Sequence, residues 1–514
     1  MKAQDYKISS EKFVFRSTDA SLHDKKLETK PVTYLRDAMN RFAKNKASIV
    51  ATVIIGILVL FAILGPLFSC YTVAYEDVSY AYVLPKNKIF YNLGIPFWDG
   101  GQKKEVNKAA YDAYVAIQQE TGRELIMSDV KVVEDEYMGK TRQLYSFRLD
   151  TYNAVGVKYV LLTTAEYQAI QAYQDEHKVQ IIFPITDPEL RPEAEQDLSN
   201  ANIWYKTKLG GGRKTEIVYE NGELVPIYKA NDGKDAYTST MYWEGDQKLY
   251  NYAEETIPGQ WRVRVDYLEY YKYIHAVADD GIEEPLFLFG TNHAGKDLFT
   301  CLAGGARFSF ILAIIVASVN LFVGAIYGSI EGYYGGRTDI IMERVVDILA
   351  AIPFMIVITL LKYHLNASHV MILFISFFLT GWTGMAARTR MQFYRFKNQE
   401  YVLVARTLGA KDRRIMFKHI FPNAIGTLIT SSVLVIPSVI FSETSLSYLG
   451  IISLNTGNMT SVGTLLANGQ TYLFTYPHMI LFPAVFISLL MLCFNLFGNG
   501  LRDAFNPSLR GTDE

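Results

Sequence analysis

Residues 400–423 read "EYVLVARTLGAKDRRIMFKHIFPN". The stretch is amphipathic and basic, carries Gly409 near its middle, and lies between two long apolar runs. From Tyr401 to Leu408 the apolar Val402, Leu403, Val404 and Leu408 cover much of one short helix, with Arg406 on its polar side. Gly409 takes a positive φ at no steric cost, which suits a sharp turn. A second short helix is expected from Asp412 to Ile420, with Asp412 as N-cap and Ile415, Met416, Phe417 and Ile420 on the apolar side. Pro422 is expected to end it and send the chain into the next apolar run. Two short helices at an angle under a membrane admit two physical readings. One is an interfacial element paired with anionic lipid; the other is a docking knob for a cytoplasmic partner.

Half of the 514 residues are hydrophobic and the formal net charge is −2. The signal lies in how the apolar residues are bunched. Six windows are long enough to cross a bilayer core of ~30 Å, which needs roughly 20 apolar residues or somewhat fewer. They are Ala47–Phe68, Phe308–Ile330, Val345–Leu361, Val370–Ala387, Ile425–Ser442 and Met479–Leu496. The first follows a polar tail of 46 residues and is too long for a signal-peptide core, so it reads as a retained span. Lys and Arg favour the cytoplasmic side. Residues 1–46 hold eleven of them against six Asp and Glu, and residues 388–418 hold nine against two. Residues 71–285 sum to −12. With six spans both basic regions and the C-terminus fall inside, and the acidic stretch falls outside.

That stretch is too long to lack structure of its own and reads as an α+β domain. "KAAYDAYVAIQQETGRE" from Lys108 has helical spacing and ends near a glycine. "TAEYQAIQAYQDEHK" follows Thr163, which forms a capping-box pattern with Glu166. "RQLYSFRL", "VKYVLLT", "VQIIF" and "WRVRVDYLEYY" read as strands, the last alternating over Trp261–Tyr267. "NDGKDAYTSTMYWEGDQKLYNY" has hairpin composition. Cys70, Cys301 and Cys493 are too few and too scattered for a disulfide framework or metal cluster, although Cys70 and Cys301 both fall near the outer face.

No phosphate cradle is present. "GGGRKTE" (210–216) lacks a glycine directly before its lysine, and "HAGKDLF" has Asp297 where Ser or Thr is required. His293, His364, His369 and His419 are isolated, and no nucleophile–base arrangement or metal-ligand spacing is readable. Energy for any transport must therefore come from another chain. Asp339, Glu343 and Asp347 recur at i, i+4, i+8 and share a helix face, where they suit a cytoplasmic salt bridge or a gate contact. Glu443, near the outer end of the fifth span, suits a pathway contact or a bond to a neighbouring helix. Gly304, Gly305, Gly324 and Gly328 are expected to permit close helix packing.

The 400–423 segment resembles the cytoplasmic "EAA" loop of ABC importer permeases. Leu403, Val404 and Ala405 stand at its three opening positions, with Gly409 six residues on and Pro422 thirteen further. Leu403 and Val404 depart from the Glu and Ala of that pattern. "LFGTNHAGKDLFTCLAGGARFSFILA", "ERVVDILAAIPFMI", "SETSLSYLGI" and "FNLFGNGLRDAFNPSLR" resemble further stretches of C-type subunits of dipeptide and oligopeptide (nickel) permeases. The resemblance covers about residues 288–510 and the first span; the insertion matches nothing in it.

The resemblance implies a polytopic α-helical membrane protein with six transmembrane helices, similar to a type I ABC importer permease. An extracytoplasmic α+β domain is inserted between helices 1 and 2. Its expected parts are a cytoplasmic tail (1–46), helix 1 (47–68), the insertion (70–287), a five-span core (288–510) with a coupling loop (388–422), and a tail (511–514). It implies partners: a homologous B-type permease subunit, two ABC ATPase subunits, an extracytoplasmic substrate-binding protein and membrane lipid, with no nucleic acid and no cofactor. Leu403, Ala405, Arg406, Leu408, Gly409, Ala410, Arg413 and Pro422 would couple to the ATPase. Glu443 and Asp347 are the pathway candidates. Two rivals are a receptor sensing a ligand through 71–285, which leaves the five-span block unexplained, and a membrane enzyme, which lacks a catalytic constellation.

Overall fold

The computed structural model describes residues 34–96, 98–137, 140–191, 200–211, 215–230, 250–454 and 459–505. Most of the 1–46 tail, most of the hairpin-like 231–252 stretch, the centre of "GGGRKTE" and the 511–514 tail lie outside the described residues.

Among the described residues five helices are long and apolar enough to cross a membrane, and up to six if one bent pair counts as a single span. They are Lys46–Phe68, Leu298–Tyr334, His369–Phe396, Asp412–Tyr448 and His478–Ala504; the bent pair is Gly336–Ala350 with Phe354–His364. The continuous third span expected over Val345–Leu361 is thus broken, with a bend of 72°. Pro353, as N-cap of the second half, brings no N–H and pushes the preceding residue away from the helical region.

One core unites the spans. Leu58, Ala62, Leu302, Ala306, Phe310, Ile358, Leu373, Ile440, Leu465 and Phe486 belong to one buried apolar cluster. Val50, Val53, Ile57 and Leu60 are exposed on the outside of the first span, as lipid contact requires. Gly324, Gly328 and Gly332 recur every four residues along Leu298–Tyr334. A Cβ on them would lie 2.6, 2.8 and 2.7 Å from the Cβ of Met385, Thr389 and Phe393. The stripe therefore sets how closely Leu298–Tyr334 and Thr383–Phe396 approach. At the other end of the bundle Glu443 is buried, accepting hydrogen bonds from Ser309 (2.9 Å) and Ser447 (3.0 Å).

The inserted region is α+β. Gly101–Val106 and Lys131–Tyr137 flank Lys140–Asp150 in one antiparallel sheet. Gln260–Asp266 is the centre of a second, pairing with Val157–Thr163, Ala253–Ile257 and the two-residue strand Ile182–Phe183. Helices span Lys108–Thr121, Thr164–His177 and Tyr267–Ala278. The expected capping box is present, with Thr163 and Glu166 bonded reciprocally. Two strand expectations are corrected. The alternating run from Trp261 stops at Asp266, whose side chain caps a helix beginning at Tyr267. "VQIIF" pairs only at Ile182–Phe183, and on the other side the buried Gln174 amide oxygen takes the Ile181 and Ile182 N–H groups (both 2.7 Å). Arg264, fully buried, forms a two-pronged ion pair with buried Glu120 and also donates to the Ala201 carbonyl (2.7 Å).

The inserted region is seated on the helical block. Val83 N–H donates to Thr291 Oγ1 and Thr291 N–H to the Val83 carbonyl, both at 3.0 Å. Tyr82 stacks on Tyr476 (4.6 Å) and Phe289 on Phe482 (4.1 Å). Cys70, Cys301 and Cys493 are free.

Candidate coupling site

The 400–423 segment folds as Glu400–Thr407, a glycine turn, and a second helical stretch entered at Asp412. Val402 turns inward into a cluster with Tyr333, Phe393, Ile415, Met416 and Ile420, and Ala405, three residues on, is also buried. Leu403, Val404 and Leu408 point out and are 46, 56 and 82 % exposed. The single apolar face expected from the sequence is thus two faces, since residues four apart (404, 408) share a side and 402 lies nearly opposite. Gly409 has φ of +79°, and no atom lies within 4 Å of where its Cβ would be. The residue is there for the backbone: its N–H reaches the Arg406 carbonyl (3.0 Å) and that of Ala410 reaches Ala405 (3.1 Å), closing the helix end.

The second stretch differs from expectation. Lys411 occupies the N-cap position without a side-chain bond, and Asp412 instead accepts from the Tyr333 hydroxyl (2.6 Å). After Asp412–Arg414 the backbone passes through a π-helical turn, Ile415–Ile420, and continues without a break as Phe421–Tyr448. Pro422 therefore does not end a helix. It sits in the first turn of the next one, where a missing N–H is tolerated, and the wide turn before it re-routes the hydrogen bonds. Phe417 is exposed rather than on the buried side. Arg413 and Pro422 are also exposed, and Ala410 is half-buried. Arg406 lies with its guanidinium 5.9 Å from the Tyr333 ring centroid.

Behind the segment sits a polar knot that the sequence showed only in part. Arg390 binds Asp339 twice (2.6 and 3.0 Å) and Glu343 once (3.0 Å). Tyr394 donates to the same Asp339 (2.7 Å), and Lys397 donates to the Gly332 carbonyl (2.9 Å). The expected Asp339–Glu343 face is thus a salt-bridge face. Asp347, one turn on, is exposed and pairs with Arg344 at 3.2 Å. Arg390, Tyr394, Lys397, Tyr333 and Glu331 were missed, since Arg390 is 51 positions from Asp339 and no local spacing links them. The expected residues from Leu403 to Arg413 come together; Glu443 does not join them, lying in the next helix about 33 Å from its start at Phe421 at 1.5 Å per residue. The segment presents an exposed apolar tip and is tied to the bundle through the Tyr333–Asp412 hydrogen bond.

Residues 321–511 match the family described as binding-protein-dependent transport system inner membrane component. Residues 33–85 match the N-terminal TM domain of oligopeptide transport permease C. The oligopeptide transport system permease protein OppC of Bacillus subtilis is 44% identical over 222 residues, 43% of this chain and 72% of that protein. The chain belongs to this permease family. The dipeptide transport system permease protein DppC of the same organism is 40% identical over 223 residues, covering 43% of this permease and 69% of that protein. OppC of Haemophilus influenzae is 38% identical over 227 residues, with 44% and 72% covered. A solved chain of the MetNI methionine ABC transporter aligns over 40% of the permease at 13% identity with a TM-score of 0.33, too low to carry an argument. The two family matches flank residues 86–320. Residues 400–423 fall inside the longer match.

Proposed function

We propose that the permease is the C-type subunit of an ATP-binding-cassette importer carrying oligopeptides or dipeptides inward. The observation that carries this reading is the 44% identity to an oligopeptide permease. ATP is hydrolysed by two partner ATPase subunits, which grip Leu403, Val404, Leu408, Gly409, Ala410 and Arg413. Arg406 and Arg413 supply charge-assisted contacts, while buried Ala405 faces the bundle and Pro422 opens the helix that leads back into it. A homologous B-type permease completes the pathway, and an extracytoplasmic binding protein delivers the peptide. The excess of basic residues in 1–46 and 388–418 supports cytoplasmic termini, an extracytoplasmic 70–287 insertion, and six crossings with the bent pair counted as one. The insertion then overlies the substrate entrance. Glu443 and Asp347 remain the pathway candidates. Glu443 joins Leu298–Tyr334 to Phe421–Tyr448 and would act by setting their separation.

The test is purification in mild detergent from native membranes, with Gly409→Asp in parallel. Co-purification of a second permease and two ATPases with the wild type, with the ATPases lost from the variant, supports both subunit and coupling roles. A chain that purifies alone, or with a signalling kinase, rejects them. The receptor reading has no observation in its favour.

A further inference from the structure

We propose that Glu331, Asp339 and Glu343 hold one hard divalent cation of the Mg2+/Mn2+ class beside Arg390, at the end of the bundle that carries the coupling segment. One carboxylate oxygen from each lies within 4.8 Å of the others. That is the spread of opposite ligands around an ion with bonds of roughly 2.0–2.4 Å. All the donors are oxygens, which suits hard cations.

The independent observation is Glu331 itself. It is 0 % exposed, and neither carboxylate oxygen has a hydrogen-bond partner. It also lies in the last turn of Leu298–Tyr334, where the helix dipole disfavours negative charge. The nearest cation, Arg390, has its Nε 3.4 Å from Glu331 Oε1, but that Nε is 2.6 Å from Asp339 and engaged there. With all three carboxylates ionised, one guanidinium leaves two negative charges. Lys397 is committed elsewhere, donating to Gly332 and lying 3.9 Å over the Tyr394 ring. A divalent ion balances the remainder, since buried charge is held by pairing, by a metal or by neutralisation.

The ion ties Leu298–Tyr334 to Gly336–Ala350 and, through Arg390, to Thr383–Phe396. The adjacent Tyr333 holds Asp412 of the coupling segment, so the ion stiffens the support on which that segment pushes. Binding does not depend on the transported substrate or on which partners dock.

The experiment uses the full-length chain in detergent, without ATPase subunits or nucleotide and stripped with chelator. It is titrated with Mn2+ while free Mn2+ is followed by electron paramagnetic resonance. The wild type is expected to bind one more tight Mn2+ per chain than Glu331→Gln or Glu343→Gln, and Mg2+ is expected to displace it. Equal counts in wild type and folded variants, or no tight site in the wild type, overturn the proposal; a proton shared by the two glutamates then holds the pair. Should the variants not fold, Tb3+ emission sensitised by tyrosine replaces them. Tyr394 donates to Asp339 at 2.7 Å, so Tyr394→Phe is expected to cut the emission at least twofold. Unchanged emission rejects the site.

Discussion

A side chain at Gly409 meets no atom, yet the φ of +79° lies where residues with a Cβ are strained. Gly409→Ala therefore strains only the turn, by about 1–2 kcal/mol. The chain is expected to fold and insert while peptide uptake falls, read as radiolabelled peptide accumulation beside a thermal melt. A collapse of both signals together would make the turn structural instead. At Thr163 the hydroxyl and backbone N–H both bond the Glu166 carboxylate (2.8 and 2.7 Å). These donors hold the Glu166 carboxyl below the usual range, the backbone bond contributing most. Its folded value is thus depressed, so its stabilisation is present above the unfolded value of ~4.3 and is lost as pH falls through the folded one. Thr163→Ala is expected to cost about 1 kcal/mol near neutral pH and less in acid, measured by hydrogen exchange in Thr164–His177. Exchange unaltered by the substitution counts against the cap. Arg264→Met strands Glu120 without a charge partner and is expected to cost about 3–5 kcal/mol, seen as a lower unfolding temperature of the inserted region. Restoring stability with Glu120→Leu in the same chain checks that the stranded carboxylate is the cause.

At the scale of elements, the glycine stripe decides how two spans meet. Gly328 faces Thr389 across the contact, whereas Gly384, on the neighbouring helix, has no atom within 4 Å of a built Cβ. Gly328→Leu is expected to pry Leu298–Tyr334 from Thr383–Phe396, with loss of most folded protein in detergent. Gly384→Leu is expected to leave yield and melting within experimental error. Similar behaviour of the two variants, on size-exclusion chromatography, refutes the packing role. The bend at Pro353 and the wide turn at Ile415–Ile420 follow the same logic, since each lies next to a proline that cannot donate to the turn before it. A periodicity reading sees the apolar run and misses the bend, because burial pattern does not report where the hydrogen-bond ladder is interrupted.

For the whole molecule, the contact between inserted region and bundle runs through a few backbone bonds and stacked rings. Thr291 is central, accepting from Val83 and itself buried. Thr291→Val leaves that N–H without its partner, at about 1–3 kcal/mol. Limited proteolysis is expected to release the inserted region faster from the variant, and equal cleavage rates would show that the Thr291 hydroxyl does not hold the seat.

What the sequence by itself determined is what local patterning encodes. The apolar windows placed five long apolar helices, the Thr163–Glu166 spacing placed a helix start, and Gly409 placed a turn between two helical stretches, because helix period, capping and glycine conformation act within a few residues. What only the tertiary structure decided is what depends on distant partners. Arg390 meets Asp339 from 51 positions away, Tyr333 reaches Asp412 across 79, and Leu408 stands exposed while Val402 is buried. Those outcomes are set by which helix faces remain to be covered once the bundle has closed, and no short stretch of chain carries that information.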